Sequence, residues 1–302
     1  MIFGSGSGIF FIHIPFLKVN GVPATSYRIW PGAIFNRSMK LLGAQVVTKK
    51  FKSPQQSMNA LDELLDKKIP VGVMCSVYYL PYLPDAYRFH FNAHNIVVWA
   101  RDGDEYIVGD PVLPELKRIH KDDLIKARYA KGFPEPSGKL YYIKGVPEGE
   151  IDYRELVRRG IRRTLFLINS APLPFIGVKG IRYLAKKVAK YPETLGSRKS
   201  MLALGNLIRM QEEIGTGGGG FRFMYAAFLK EASHRLNNEE LGRMADEMTA
   251  IGDMWRNFAY EVAKVIKNRS SSENAFGEIS ALLAQIGDRE VDFFNELAKI
   301  RI

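Results

Sequence analysis

The fold is decided by the stretch Tyr87 to Val112, which reads YRFHFNAHNIVVWARDGDEYIVGDPV. It predicts a β-hairpin. The first strand is the apolar run Asn95 to Ala100, Arg101 to Asp104 forms the turn, and Glu105 to Gly109 is the second strand. The places of the other segments are predicted relative to this hairpin.

Two ionisable side chains lie at the open end of this hairpin, His94 before the first strand and Asp110 after the second. Antiparallel strands of similar length bring their outer ends together, so we expect the two groups within hydrogen-bonding reach. Such a pair is the orienting half of a nucleophile–His–Asp triad. The alternative is a surface histidine and an Asp-Pro turn. The spacing makes His94 a candidate base and Asp110 its candidate orienting acid.

Composition describes a soluble globular chain of 302 residues, with 46% hydrophobic residues and a net charge of +11. A single cysteine excludes a disulfide framework and fits a reducing cytoplasm. No apolar run is long enough for a membrane span, and no metal-ligand or nucleotide-binding motif is present, so we expect no metal and no cofactor. The positive charge suits an acidic protein partner, and without a nucleic-acid module we expect no nucleic acid.

Two domains are expected, residues 1–147 and 148–302, joined by a linker at Gly145 to Gly149. The first is predicted to be α+β with an antiparallel sheet, and the second all-α, because helical periodicity dominates from Ile151 onward. Predicted helices are Pro31–Leu42, one capped by Ser53, Lys121–Ile125, one capped by Asp152, Ile181–Lys190, Ser200–Glu213, Phe221–Leu236, Glu239–Ile266 and Ser272–Ile300. Further predicted strands are Val46–Phe51, Val71–Val77 and Lys139–Ile143.

Three segments carry a family resemblance: Val77 to Tyr82 (VYYLPY), Phe89 to Asn95 (FHFNAHN) and Glu213 to Gly219 (EIGTGGG). Together with the hairpin, they resemble the butirosin-biosynthesis acyltransferase family. The first domain of that family is related to papain-like cysteine peptidases of the bacteriocin-processing type. The resemblance implies a papain-like first domain, a helical second domain, and a Cys-His-Asp site in which His94 is the base and Asp110 its orienter.

The nucleophilic cysteine of that family has no counterpart in this chain. In the family it begins a helix upstream of glycine-rich text like that of Met1 to Gly8, and this chain starts after that point. Either the cysteine lies upstream of Met1, or it has been lost. Cys75 is expected in the core of a buried strand, and Ser76 on the opposite face of that strand is no better a nucleophile.

Two aromatic residues before the hairpin, Tyr78 and Tyr79, are candidate walls of a pocket that shields an acyl intermediate. The alternative is that they pack their loop onto the domain. Asn95, next to the base, is also a candidate substrate-binding residue, although we assign it no specific role.

The second candidate site is the glycine segment Gly215 to Gly220, which joins two predicted helices. Gly217, Gly218 and Gly219 permit close backbone approach to a ligand, and the next helix offers free N–H groups. Arg222 adds a fork-shaped donor. The segment is expected to bind a carrier's phosphopantetheine arm or the polar end of an acyl group; the alternative is a flexible connector.

The leading hypothesis is transfer of an aminoacyl group from an acyl-carrier protein, or another thioester donor, to a small-molecule or peptide amine. An amide hydrolase of the same fold and a catalytically inactive acyl- or carrier-binding protein are the alternatives. A homodimer is the default oligomer.

Overall fold

A computed structural model describes residues 1–19, 21–30, 32–132, 134–215 and 217–302. The chain forms two compact units. One combines Met1–Leu42 with Gly149–Ile302, and the other is Gly43–Glu148. We refer to them as the helical unit and the sheet unit.

The helices of the described residues are numbered in chain order. They are α1 (Ile2–Ser5), α2 (Ala33–Leu41), α3 (Pro54–Asp66), α4 (Lys121–Arg128), α5 (Tyr153–Ile168), α6 (Gly177–Val188), α7 (Tyr191–Leu195), α8 (Ser197–Glu212), α9 (Arg222–Leu236), α10 (Glu239–Ile266) and α11 (Ala275–Leu297). Short 3-10 turns occur at Val77–Tyr79, Asp85–Tyr87 and Gly219–Phe221.

The strands are numbered in the same way. They are β1 (Ile12–Val19), β2 (Val22–Ser26), β3 (Gln45–Lys49), β4 (Val71–Cys75), β5 (His94–Asp102), β6 (Glu105–Gly109), β7 (Lys117–His120) and β8 (Leu140–Gly145).

The sheet unit is built on an antiparallel sheet that, in the described residues, has six strands in the order β3-β8-β4-β5-β6-β7. Strand β4 is buried along its whole length, because it has neighbours on both sides. Helix α3 begins where Ser53 accepts a hydrogen bond from the Gln56 N–H and Pro54 occupies the first turn. Its apolar side packs into the same core as β4, through Met58, Leu61 and Leu65.

The helical unit packs α5 to α11 around a core that contains the fully buried Trp255. Helix α5 starts at the predicted cap, where Asp152 Oδ1 accepts the Glu155 N–H at 2.9 Å. The hairpin of β1 and β2 joins this unit, because Phe11 before it and Tyr27 after it both pack on the Trp255 ring.

The α+β class, with antiparallel sheets toward the N-terminus and helices toward the C-terminus, is confirmed. The division of the chain differs from the predicted one, because Met1–Leu42 groups with the C-terminal helices rather than with the sheet. Its apolar residues Ile9 and Phe11 belong to the helical core, which explains the grouping.

The described elements that were not predicted are α1, the β1–β2 hairpin, β7 and α7. Two predictions include positions outside the described residues: the sequence Asn20-Gly21-Val22-Pro23 predicts a turn that begins at Asn20, and the helix predicted over Pro31–Leu42 begins at Pro31. No described helix is both long and apolar enough to cross a membrane.

Candidate active site

His94 and Asp110 meet at the end of the predicted hairpin. Strand β5 begins at His94, and the pairing of Val97 with Gly109 leaves Asp110 directly after β6. The distance between His94 Nε2 and Asp110 Oδ2 is 2.8 Å, and the Asp110 side chain is fully buried while that of His94 is 13% exposed. The hairpin therefore brings the two groups within hydrogen-bonding reach.

Asp110 is held by two further donors. The Tyr82 hydroxyl donates to Oδ2 at 3.0 Å, and the Val112 N–H donates to Oδ1 at 3.0 Å. Burial by itself would raise the pKa of Asp110. The hydrogen bond and the charge of His94 lower it, and the hydrogen bonds from Val112 and Tyr82 lower it further. Together they outweigh burial and hold the pKa of Asp110 below its usual range. Asp110 is therefore a carboxylate at neutral pH.

The ionised state of Asp110 determines which nitrogen of the His94 ring carries the hydrogen. An ionised carboxylate only accepts hydrogen bonds, so His94 Nε2 must carry the hydrogen that it donates to Asp110. In the neutral ring Nδ1 then has the free lone pair, and it has no hydrogen-bond partner among the described residues. The geometry suits a base that accepts a proton at Nδ1.

Cys75 is the residue paired with His94 across β4 and β5, so both side chains lie on the same face of the sheet. Its thiol is completely buried in the sheet core. Burial, followed by the negative charge of Asp110, raises the pKa of the Cys75 thiol, which opposes formation of a thiolate. Cys75 thus has the environment expected of a core residue.

Tyr78 and Tyr79 line a cleft of about 630 Å³ in the sheet unit, together with Pro81, Asp85, Arg88, Asp123 and Lys126. Tyr78 is exposed, and its ring stacks on His90 with centroids 4.1 Å apart. Tyr79 is partly buried against the sheet core. The two tyrosines therefore border an open cleft, and Tyr79 also packs the loop onto the sheet core. A role in shielding an acyl intermediate stays a prediction. His94 and Asp110 are not among the lining residues of this cleft.

Asn95 is not joined to the His94–Asp110 pair. Its Nδ2 donates to the Ala93 carbonyl at 3.1 Å, and its place beside His94 on β5 points it to the opposite face of the sheet.

The glycine segment has an unusual backbone. Gly215, Gly217, Gly218, Gly219 and Gly220 all have positive φ, between +56° and +85°. Gly217 is exposed, whereas Gly218 and Gly219 are buried, and the Gly219 N–H donates to Glu212 Oε1 at 3.0 Å. Positive φ favours glycine over other residues, so the run of glycines is required by this conformation. Thr216 lies outside the described residues.

Arg222, the predicted donor for a ligand, is fully buried and engaged inside the protein. Its Nε and Nη2 donate to the two carboxylate oxygens of Glu290 at 2.8 and 2.9 Å, and Nη1 donates to the Gly220 carbonyl at 2.7 Å. The Trp255 indole also donates to Glu290, at 2.7 Å. Arg222 therefore stabilises the connection between the glycine segment and α11, and offers no free donor to a ligand.

Tyr82 is a site residue that sequence reasoning missed. It belongs to the aromatic segment that was singled out, but nothing local indicated that its hydroxyl reaches a residue 28 positions away. Burial, with the nearby Asp110 and Cys75, raises the pKa of Tyr82, so that its hydroxyl keeps the proton it donates. Among the described residues, no group of three or more His, Cys, Asp or Glu is placed to hold a metal ion.

Replacing Asp110 by asparagine is expected to lower the free energy of unfolding by about 1–3 kcal/mol at neutral pH, because a buried hydrogen-bonded carboxylate is lost. The folded pKa lies below the ordinary value of 3.8, so this stabilisation is fully present above that value. It is lost as the pH falls through the lower folded pKa. Urea unfolding of the wild type and of Asp110→Asn, from pH 7 to pH 3, measures the difference in free energy of unfolding. Asp104→Asn, at the exposed hairpin turn, is the control, and an Asp110→Asn deficit that is independent of pH would contradict the expectation.

Comparison with known families gives two matches. The family model described as "Butirosin biosynthesis protein H, N-terminal" matches residues 1–111. The model described as "Domain of unknown function (DUF4872)" matches residues 122–297, which is more than half of the chain. Among curated proteins, none matches this chain.

Proposed function

Because the chain belongs to the family in which a butirosin biosynthesis protein H N-terminal domain precedes a DUF4872 domain, we propose that it functions in acyl transfer. The proposed reaction moves an aminoacyl group from a carrier-protein thioester to an amine. The observation that supports it is the hydrogen bond between His94 Nε2 and Asp110 Oδ2, which leaves Nδ1 available as the base. We also propose that the protein is cytoplasmic and forms a homodimer.

The chemistry proceeds in two balanced steps. A cysteine thiol gives its proton to His94 Nδ1, and its sulfur attacks the thioester carbonyl. The carrier thiol leaves with that proton, and an acyl-enzyme thioester remains. The amine then attacks this thioester, His94 accepts a proton from the amine, and the proton returns to the cysteine sulfur as the amide is released. Throughout, Asp110 stabilises the imidazolium and fixes the ring.

This reaction needs a thiol that is accessible, and Cys75 is buried with a raised pKa. We therefore propose that the nucleophile is a cysteine carried on a segment before Met1, in a longer form of the protein. The test compares residues 1–302 with the product of the same reading frame extended upstream.

The experiment supplies an aminoacyl thioester of a carrier protein and a panel of amines. Intact-mass measurement detects the acyl-enzyme, and chromatography detects the amide. We expect an acyl adduct on the extended protein that moves to an amine. Release of the free amino acid, unchanged by any amine, would indicate an amide hydrolase instead, and no adduct on either protein would contradict acyl transfer through a covalent intermediate.

A second function is favoured by the burial of Cys75, the one cysteine in the sequence. If the protein has no other cysteine, the same fold would bind an acyl thioester or its carrier protein without catalysing transfer of the acyl group. In this case residues 1–302 would bind a non-hydrolysable analogue of the loaded carrier, and the reading frame would contain no cysteine upstream. Detection of an acyl adduct would exclude this function.

A further inference from the structure

The hydroxyl of Tyr82 reaches the same carboxylate oxygen as His94. It donates to Asp110 Oδ2 at 3.0 Å, and His94 Nε2 lies 2.8 Å from that oxygen. The other oxygen, Oδ1, accepts the Val112 N–H at 3.0 Å, in a local turn that Asp side chains commonly form with the residue two positions later. Oδ1 is thus held from within its own loop, and Oδ2 is held from outside that loop by Tyr82.

Asp110 needs an anchor of this kind because it follows the end of strand β6. The strand ends at Gly109, which pairs with Val97, so ladder pairing does not fix Asp110. A carboxylate also turns easily about its last single bond, because the energy of that torsion varies little with angle. A donor from another part of the sheet unit therefore keeps Oδ2 on the side of His94.

The segment that carries Tyr82 is anchored on both sides. It reads Leu80-Pro81-Tyr82-Leu83-Pro84, and its two leucines are buried in the sheet core. The Leu83 N–H donates to the Leu80 carbonyl at 3.1 Å, which closes a turn around Tyr82. The two prolines restrict the backbone further. These features hold the phenol ring in place independently of its hydroxyl.

Packing alone does not account for that hydroxyl. The Tyr82 ring packs against the sheet core, where a phenylalanine ring would fill the same space. A hydroxyl withdrawn from water costs free energy unless it finds an acceptor, and Asp110 is the acceptor. The bond also acts on its acceptor: burial raises the pKa of Asp110, and the hydrogen bonds from His94, Val112 and Tyr82 lower it.

We propose that Tyr82 is a positioning residue of the His94–Asp110 pair, whose hydroxyl keeps Asp110 Oδ2 directed at His94 Nε2. Tyr82 acts through Asp110 and not on the substrate. The proposal rests on the acyl-transfer function for the reaction that the pair serves. The hydrogen bond itself is tested in residues 1–302, without a nucleophile.

Tyr82→Phe removes the hydroxyl and keeps the ring, so it separates positioning from packing. Carbon-13 NMR of the side-chain carboxyl groups follows the titration of Asp110, with Asp110→Asn used to identify its signal. We expect the midpoint of this titration to move to higher pH in Tyr82→Phe, because a hydrogen bond that favours the carboxylate is lost. Tyr142→Phe is the matched control. Tyr142 packs against the same core from β8, and its replacement should leave the Asp110 titration as in wild type.

A double-mutant cycle tests whether Tyr82 acts through Asp110. It compares the urea unfolding of Tyr82→Phe, Asp110→Ala and the double variant at pH 7. We expect Tyr82→Phe to lower the stability of the wild type, because a buried hydrogen bond is lost, and to have little further effect once Asp110 is replaced. Asp110→Asn takes the place of Asp110→Ala if the latter does not fold.

The effect on catalysis is measured in the extended protein. Tyr82→Phe should slow acyl-enzyme formation about 3- to 10-fold, the factor expected for one hydrogen bond, and leave the KM for the amine unchanged. Tyr142→Phe should keep the wild-type rate.

Three results would overturn the role of Tyr82: an unchanged Asp110 titration in Tyr82→Phe, an equal loss of stability with and without Asp110, or a wild-type rate of acyl-enzyme formation. The second would assign Tyr82 a packing role. Failure of the acyl-transfer proposal is recognised separately, because the extended wild-type protein would then form no adduct while the Asp110 titration would still respond to Tyr82→Phe.

Discussion

Glu290→Ala is expected to destabilise the helical unit by about 3–5 kcal/mol, because it leaves the buried Arg222 guanidinium without its counter-charge. Both side chains are completely buried, and their two hydrogen bonds are 2.8 and 2.9 Å long. The Trp255 indole would lose its acceptor as well. Urea unfolding followed by tryptophan fluorescence measures the loss, and Trp255 reports on it directly.

The exposed Glu296 of α11 supplies a matched control, and Glu296→Ala should change the free energy of unfolding by no more than about 0.5 kcal/mol. The double variant Arg222→Met/Glu290→Leu should recover much of the loss, because it removes both charges together. If Glu290→Ala costs less than about 1 kcal/mol, the pair is not the anchor of the glycine segment.

His94→Ala is expected to slow amide formation by about 100- to 10,000-fold in the extended protein, the range for loss of a general base. The substitution removes the nitrogen that receives the nucleophile's proton, while the strand that carries it stays paired with β4 and β6. Rates of acyl-enzyme formation and of amide release, measured by rapid quench, should both fall.

His234→Ala, at an exposed position of α9, should keep the wild-type rate. Asp110→Asn should retain the imidazole but lose its fixed orientation, and so give a rate between those of wild type and His94→Ala. A His94→Ala variant that forms the acyl-enzyme at the wild-type rate would show that His94 is not the base.

The hairpin was predictable because its information is local. An apolar strand, a turn containing Gly103 and a second strand follow one another within 16 residues. The observed strands His94–Asp102 and Glu105–Gly109 start and end within two residues of the predicted ones. The approach of His94 to Asp110 is a consequence of that pairing. The capping signals at Ser53 and Asp152 are local too, and both caps form.

Contacts between distant residues were not predictable in the same way. Arg222 was assigned to a ligand because an arginine after a glycine loop is typical of an anion site, and nothing in its neighbourhood indicates Glu290, 68 residues later. The same reason hides the hydrogen bond from Tyr82 to Asp110. Each depends on how elements pack, and not on periodicity.

The N-terminal segment shows how packing overrides composition. Gly4, Gly6 and Gly8 predict a loop, yet Ile2–Ser5 is helical. Gly4 and Gly8 have no room for a side chain, since its first carbon would lie 2.0 Å from Phe228 and 2.2 Å from Phe3 respectively. These glycines allow close packing of aromatic rings within the helical unit, a role that spacing alone does not distinguish from a turn.

The central claim is that Asp110 holds His94 with the hydrogen on Nε2 and the lone pair on Nδ1. Nitrogen-15 NMR of the histidine side chains measures this directly, with His94→Ala used to assign the signals. The account predicts that the neutral His94 ring is protonated at Nε2 in the wild type, and that Asp110→Asn loses this preference. A neutral His94 protonated at Nδ1 in the wild type would contradict it.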